Sequence, residues 1–413
     1  MLTTVTLRLD TLCQVATRSC SSERKLAQFF SANLFLLIAC AFMLASVSGA
    51  HAFSSDAKAA ILIDADTGAV LYQNNADEPL PPASITKLMT AELVFQAIKA
   101  GRLKLDDELT MSVHAWRTGG APSRTSAMFV PVNKTATVDQ LLKGLIIQSG
   151  NDAAIALAEG MSGTEEAFAK RMNVEARKIG LTKSVFKNPT GLEADGHVMT
   201  AREMAMLSLY IINKHPDFYK LFSQKVFEYR RFKFRNRNPL LFEKIGVDGL
   251  KTGSLSVVGN NLVASAVQNG KRLIAVVIGL PSKKKAAREA RKLLQWGFRS
   301  FAAFKLFDEG ETVGMARVWG GERFYLPLTG DGPVKVILPR VPANPKLKAE
   351  ITYDGPLKPP IKKGDQVATL RVVSETNAVN EVPLYAAEDV QPGGLVRRGL
   401  DALAHLALSW VAL

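Results

Sequence analysis

Beyond Cys40 this 413-residue chain contains no cysteine; its three, Cys13, Cys20 and Cys40, all lie near the start. Structural disulfides, a thiol nucleophile and Cys-based metal sites are therefore excluded from the rest of the chain. Histidine is nearly as scarce. His51, His114, His197, His215 and His405 are scattered with no His-Glu-x-x-His spacing, which argues against a zinc hydrolase, and neither a metal nor another cofactor is expected. No internal repeat is evident. Apolar residues, by contrast, make up 47% of the chain, ample for packed cores and too many for a disordered protein. The length leaves room for two or three domains.

A long apolar run, residues 34–47, follows Arg24 and Lys25 and ends in Ser48-Gly49-Ala50-His51-Ala52. The basic start and the Ala-x-Ala ending predict a signal peptide, residues 1–52, cleaved after Ala52, and hence an exported protein. An uncleaved membrane anchor is the bland alternative. Lipoprotein processing at Leu37-Ile38-Ala39-Cys40 ranks lower, because the apolar stretch continues past Cys40. Removing the leader takes four of 52 basic and two of 38 acidic residues, leaving 48 against 36, a surplus of +12. In a nuclear or cytosolic protein that surplus would point to nucleic acid. An exported chain meets anionic wall polymer and anionic lipid instead, so no nucleic-acid partner is expected.

Against these absences stand three short strings in one order: Ser84-Ile85-Thr86-Lys87, Ser149-Gly150-Asn151 and Lys251-Thr252-Gly253, with separations of 65 and 102 residues. They provide a nucleophile, a candidate amine base, a polar Ser/Asn pair and a strand-borne cation, equipment for serine acyl transfer without histidine. Singly they are weak. Ser-x-x-Lys recurs at Ser22/Lys25, Ser184/Lys187 and Ser282/Lys285, and Ser-x-Asn at Ser31/Asn33. Context separates them. Ser84 follows Leu80-Pro81-Pro82-Ala83 and opens a helical pattern that runs to about Ala100 and is closed by Gly101. Ile85, Leu88, Met89, Leu93, Phe95 and Ile98 make that helix apolar on most sides, so it is expected to be buried, with Ser84 and Lys87 one turn apart on one face. Ser22 falls in the leader, Ser282 at a solvated helix start, and Ser184 in a turn-rich stretch with no buried helix to position it.

Around these strings, residues 59–64 and 69–73 flank a turn and read as a hairpin, and residues 257–268 and 272–280 are strands joined by Asn269-Gly270. Helical patterns cover 138–147, 152–159, 165–179 and, amphipathically, 282 to about 301. Strands at both ends of a helical middle predict an α/β sandwich over residues 53–301, a largely antiparallel sheet with helices on both faces. From about Phe304 to residue 388 short runs alternate with Pro and Gly, predicting a small all-β domain. Residues 395–413 predict a terminal amphipathic helix, in which Arg397, Asp401, His405 and Ser409 form a narrow polar stripe. Nineteen residues at about 1.5 Å each nearly cross a bilayer core, but the charges favour a helix lying in the membrane interface. Docking on the protein's own surface is the alternative.

Amide hydrolysis needs a nucleophile, a proton acceptor and donors for the oxyanion. Ser84 Oγ is the nucleophile. Lys87 takes its proton, which requires a partly neutral amine; burial lowers a lysine pKa, and Lys251 is the candidate neighbouring cation that lowers it further. Ser149, at a break that Gly150 forces between two helices, relays a proton to the leaving amine, and Asn151 holds Lys87 or the substrate backbone. Lys251 and Thr252 bind a substrate carboxylate from a strand edge, with Arg237 a further candidate. Gly253 lets substrate backbone approach closely. The N–H groups of Ser84 and Ser254 form the oxyanion hole.

The ordered trio resembles that of β-lactamases and penicillin-binding proteins. Pro82-Ala83 before Ser84, Asn236-Arg237-Asn238, Val247-Asp248-Gly249-Leu250 leading into Lys251, and the terminal amphipathic pattern narrow the likeness. The chain resembles the low-molecular-mass penicillin-binding proteins, the serine-type D-alanyl-D-alanine carboxypeptidases. That resemblance implies a β-lactamase/DD-peptidase-like fold and removal of the terminal D-Ala from peptidoglycan pentapeptide stems through an acyl-enzyme on Ser84. It also implies covalent capture by β-lactam antibiotics. It further implies a periplasmic enzyme attached peripherally to the inner membrane, its β-rich domain lifting the catalytic domain off the bilayer. Ser254-Leu255 depart from the His-Thr of many relatives; a backbone N–H suffices at 254, so activity is expected to survive, with Leu255 altering selectivity. Rival readings are a D,D-endopeptidase on crosslinks, a β-lactamase and a non-catalytic wall-binding scaffold. Relatives of the first usually stop after one domain. The second needs a deacylating glutamate, and Glu193 lacks the Glu-x-x-Leu-Asn setting. The intact Ser84/Lys87/Ser149/Lys251 set argues against the third.

Overall fold

The computed structural model describes residues 2–7, 53–340, 347–374 and 379–395. Its first unit is built on five antiparallel strands: β1 (Ala59–Asp64), β2 (Val70–Asn74), β3 (Val247–Leu255), β4 (Gly259–Gln268) and β5 (Lys271–Leu280). They lie in the order β2-β1-β5-β4-β3, which leaves β3 on the edge. A period of two divides the side chains between two cores. Ile61, Ile63, Ile274 and Val276 face one layer, and Ala60, Leu62, Leu273 and Ala275 the other.

On the first face pack α1 (Lys87–Lys99), α2 (Val138–Lys143), α3 (Asn151–Ser162), α4 (Glu165–Lys178) and α5 (Ala201–Lys214). On the second lies α6 (Lys283–Ser300), whose Ala290, Leu293 and Leu294 are buried while its lysines face outward. The α/β sandwich is as expected. Helix α1 is apolar nearly all round because it runs through the helical layer. Its Leu88, Met89, Val94 and Phe95 are wholly buried, each contributing on the order of 1.5–3 kcal/mol.

Two helices depart from their patterns. The one expected to begin at Ser84 starts as a 3-10 turn, Ala83–Thr86, and becomes α-helical only at Lys87, after Ala83 enters with a left-handed φ of 53°. Helix α2 stops at Lys143, and a wider π turn, Gly144–Gln148, carries the chain to Ser149.

The second unit is all-β. Strand β6 (Phe301–Phe307) leaves α6 directly, so strand structure begins three residues before the change in periodicity. Phe301 itself stays in the first unit's core, edge-on to Trp296 with ring centroids 5.0 Å apart. Strands β7 (Gly314–Arg317), β8 (Tyr325–Thr329), β9 (Val334–Pro339), β10 (Leu347–Asp354), β11 (Gln366–Ser374) and β12 (Val379–Ala386) complete it around Val336, Ile351, Leu370 and Leu384. Isolated pairings at Val390 and Pro392 carry it past residue 388. A single backbone pair, Val379 with Val70, joins β12 to β2.

Leu2–Leu7, inside the expected leader, run antiparallel to β10 rather than apart from the fold; the β-branched Thr3, Thr4, Val5 and Thr6 suit a strand. Cleavage after Ala52 would expose that edge of β10. The expected terminal helix, residues 395–413, lies outside the described residues except for Leu395. Among the described residues no helix is long and apolar enough to cross a membrane.

Candidate active site

Ser84 sits in the 3-10 turn and Lys87 opens α1, so the expected one-turn spacing brings Lys87 Nζ to 3.1 Å from Ser84 Oγ. The same amine donates to Asn151 Oδ1 at 2.6 Å and to the carbonyl of Thr190 at 2.5 Å. With a relative exposure of 1%, Lys87 is buried deeply enough for desolvation to bring its pKa to about 7, against the opposing pull of Asp152. Across the cavity Lys251 Nζ donates to Ser149 Oγ at 2.7 Å and to the Thr252 carbonyl at 3.2 Å. Burial, then Lys87, then Arg237 hold its ammonium well below the usual lysine range. Burial, with Lys251 as a neighbouring cation, was expected to lower Lys87. Desolvation is the main cause, as expected.

The framework explains these positions. Ser149 adopts φ 64°, so the helix break is made at the serine itself. Gly150 is extended there, and an added Cβ would stand 2.9 Å from Asp152 Oδ1; its role is close packing rather than the break. Gly253 likewise differs from expectation. A Cβ there would lie 3.0 Å from Ala83 Cβ and the Pro82 carbonyl and 3.2 Å from Ser84 N. The bare backbone thus lets β3 close against the turn that carries Ser84, rather than against substrate.

Some contributors left little trace in the sequence. Asp152 is wholly buried and accepts from the N–H groups of Met128, Phe129, Val130 and Ala153, fixing the loop that contains Ser126. Its signal was a carboxylate in the first turn of α3, immediately after the Ser-x-Asn string. Thr190 acts through its carbonyl and Thr125 through a loop hydroxyl that accepts from Asn151 Nδ2 at 2.9 Å, so neither had a pattern to betray it. Arg237 is held by Gln148, its Nε donating to Oε1 at 3.2 Å.

Two cavities meet at Ser84. The larger, about 470 Å³, contains Ser149, Arg237, Thr252 and Ser254 and reaches toward α6. The other, about 430 Å³, contains Ser126, Asn151, Leu192, Arg237 and Leu255. Ser84, Lys87, Ser149, Asn151, Arg237 and the run from Lys251 to Ser254 are therefore assembled in one place. The decoys are elsewhere: Ser184 donates to Glu203, and Ser282 caps α6 by accepting from Lys285 N at 3.2 Å. Among the described residues no group of His, Cys, Asp or Glu could hold a metal ion. The assembly can do nucleophilic chemistry with two buried amines as proton carriers.

The D-alanyl-D-alanine carboxypeptidase family matches residues 46–282, and the C-terminal domain of penicillin-binding protein 5 matches residues 301–392. The chain is 41% identical over 383 residues to D-alanyl-D-alanine carboxypeptidase DacC of Escherichia coli (strain K12), covering 92% of this chain and 95% of that one. Penicillin-binding protein 5 from Haemophilus influenzae superposes with a TM-score of 0.71 at 35% identity, covering 83% of this chain and 100% of its own. Penicillin-binding protein D2 from Listeria monocytogenes, solved in an ampicillin-bound form, gives 0.52 at 31% identity, over 60% of this chain and 99% of its own. Matched across both units, with its three strings gathered around one serine, the chain belongs to the D-alanyl-D-alanine carboxypeptidases, the serine hydrolases among the penicillin-binding proteins that act on peptidoglycan and bind β-lactams.

Proposed function

We propose that Ser84 Oγ attacks the carbonyl of the penultimate D-Ala in a peptidoglycan stem ending D-Ala-D-Ala. The observation that carries this is the contact at 3.1 Å between that hydroxyl and an amine whose pKa lies at about 7. At neutral pH a sizeable fraction of Lys87 is unprotonated and takes the hydroxyl proton as the ester bond forms. The amide C–N bond breaks, and the departing nitrogen receives a proton through Ser149, which Lys251 contacts. The N–H groups of Ser84 and Ser254 meet the oxyanion; β3 at the sheet edge leaves one side of its backbone free of a neighbouring strand. Thr252, Lys251 and Arg237 take the terminal carboxylate, and Asn151 holds Lys87. Water then hydrolyses the ester and frees Ser84. A β-lactam forms the same ester on Ser84, a reading supported by the ampicillin-bound Listeria relative.

Substitution Ser84→Ala tests the assignment. It should eliminate both D-Ala release and covalent labelling by a fluorescent penicillin; continued labelling would mean that another residue is the nucleophile.

We infer the setting from the composition of the two terminal segments. Export removes residues 1–52, the catalytic domain ends with α6, and the β-rich domain that begins at Phe301 and runs past residue 388 stands between it and a helix, 395–413, on the periplasmic face of the inner membrane. The apolar leader and the polar stripe of the last segment support this arrangement. Truncation before Leu395 should release the protein from membranes and leave peptide hydrolysis intact. Unchanged pelleting with membranes would reject the anchor.

A further inference from the structure

We propose that two basic elements flanking the cleft form a second binding surface, outside the catalytic cavity. It grips a carboxylate-bearing wall polymer by stems other than the one being cut. This rests on the carboxypeptidase reading and adds a polymer-holding site to it; no second kind of bond is cleaved.

The chain's charge is unevenly placed. Residues 225–244 contain seven cations against Glu228 and Glu243, and α6 contains seven against Glu289. Their surpluses of five and six make eleven of the twelve that remain once the leader is gone, so the rest of the chain is close to neutral. The first segment holds a hairpin of two short strands, Val226–Tyr229 and Phe232–Arg235. Phe227, Tyr229 and Phe234 are buried there, while Lys225, Arg231, Lys233 and Arg235 stay exposed. In α6, Lys285, Arg288, Lys292 and Arg299 recur at spacings of three, four and seven, an exposed stripe about 21 Å long. The two elements meet where Glu243 Oε2 lies 2.8 Å from Arg291 Nε, on the wall of the larger cavity.

Little inside the protein uses this charge. Of these cations, those ion-paired among the described residues are Lys233 with Glu228 at 2.8 Å, Lys292 with Glu289 at 3.5 Å, and Arg291. Lys225 and Arg235 lie instead against Phe242, 5.9 and 3.8 Å from its ring centroid, which positions them without neutralising them. A face kept for solubility mixes signs, and three lysines in the first turn of α6 oppose its dipole. The arrangement strains the fold and suits an external anion. Lys283, Lys284 and Arg237 line the larger cavity as well, so the surface starts where substrate enters. A flat bilayer would not call for cations along a cleft wall; a polymer that threads the cleft does. Its stems end in carboxylates at repeated intervals. Removing one D-Ala leaves a new carboxylate behind, so the grip outlasts each cut, and neighbouring stems meet Ser84 at a raised effective concentration.

Co-sedimentation of full-length Ser84→Ala protein with purified wall polymer tests this without turnover. Retention should fall steeply between about 0.05 and 0.5 M salt and be lost with polymer whose carboxylates are amidated. Both readings need no further substitution, so they stand whatever a variant does to folding. In the same background, Lys225→Gln/Arg231→Gln/Lys285→Gln/Arg288→Gln changes four exposed cations that line neither cavity, and should weaken retention roughly tenfold or more. Lys104→Gln/Lys134→Gln/Lys362→Gln/Lys363→Gln removes the same charge from exposed positions elsewhere and should bind as the parent does. With Ser84 restored, the first set should lower the ratio of kcat/KM for D-Ala release from polymer to that from soluble pentapeptide by a similar factor, through KM. Equal loss in both sets would reduce the effect to net charge and overturn the proposal. Retention insensitive to salt or amidation would also overturn it. So would a first set that keeps polymer but loses anionic vesicles of phosphatidylglycerol, which would make the surface a lipid contact. Release of D-Ala from neither substrate, with salt-sensitive retention intact, would refute the carboxypeptidase reading and leave the holding surface standing.

Discussion

Replacing Asn151 by aspartate changes one atom type beside Lys87 and asks whether the neutral amine is what makes Ser84 reactive. Asn151 Oδ1 lies 2.6 Å from Lys87 Nζ, and Asp has the same shape. The second contact can persist, because the Thr125 hydroxyl that accepts from Asn151 Nδ2 can rotate and donate to a carboxylate. A carboxylate at that distance favours the ammonium and should raise its pKa by roughly 1–3 units. The midpoint would move from about 7 to roughly 8–10.

At pH 7 about half of Lys87 is neutral in the wild type, against roughly one part in ten to one in a thousand in the variant. Labelling by fluorescent penicillin, timed from pH 5 to 10, reads this directly. The wild-type rate should rise about tenfold per pH unit below 7 and level off above it. The Asn151→Asp rate should be roughly five- to five-hundredfold lower at pH 7 and recover on the alkaline side. A variant slowed equally at every pH, with its midpoint unmoved, would mean that Asn151 serves geometry only. A wild-type profile flat between pH 6 and 8 would remove Lys87 as the base.

Two other substitutions follow from the same geometry. Lys87→Met should abolish D-Ala release while shifting stability in a pH-dependent way. The amine's pKa is about 7 in the fold against 10.5 when free, so below pH 7 the buried ammonium costs about 5 kcal/mol, partly offset by the acceptors it satisfies on Asn151 and Thr190. Between these pKa values the unfolded chain binds more protons, so wild-type stability should rise relative to the variant with pH. The difference should be about 2 kcal/mol between pH 7 and 9, and a difference constant across that window in denaturant titrations would contradict the lowered pKa. Gly253→Ala would press a Cβ to within 3.0 Å of Ala83 Cβ and the Pro82 carbonyl, prying the Ser84 turn from β3. Penicillin labelling should slow at least ~tenfold for a stability loss of about 1–3 kcal/mol, and undiminished labelling would show that the contact does not set the site.

Much of this arrangement was legible because residue type and local period encode it. Alternating apolar residues marked β1 and β5, and the apolar wrap of α1 marked a helix through the middle of the domain. The spacing of Ser84 and Lys87 survived even though the turn joining them is 3-10 rather than α, because i and i+3 share a face in both. What stayed hidden depends on partners distant in the chain. Thr190 meets Lys87 from 103 residues away through a carbonyl that any residue would offer. Lys-Thr-Gly identified Gly253, yet only the packing of β3 against Pro82 and Ala83 says whose approach the missing side chain permits.

The same limit applies to charge. Sequence places two lysines in one site and leads one to expect burial and mutual repulsion together to neutralise the base. Depth is the larger cause for both, and the remaining neighbours differ. Both amines are buried, but Lys87 has Asp152 pulling toward its charged form, whereas Lys251 faces the cations Lys87 and Arg237. Lys87 is thus held at about 7, near enough to neutrality to exchange a proton with Ser84 in either direction. A base left at its free value would stay protonated at pH 7. The buried Asp152 that supports the Ser126 loop also pulls Lys87 toward its charged form, so one carboxylate joins the fold of the loop to the electrostatics of the base.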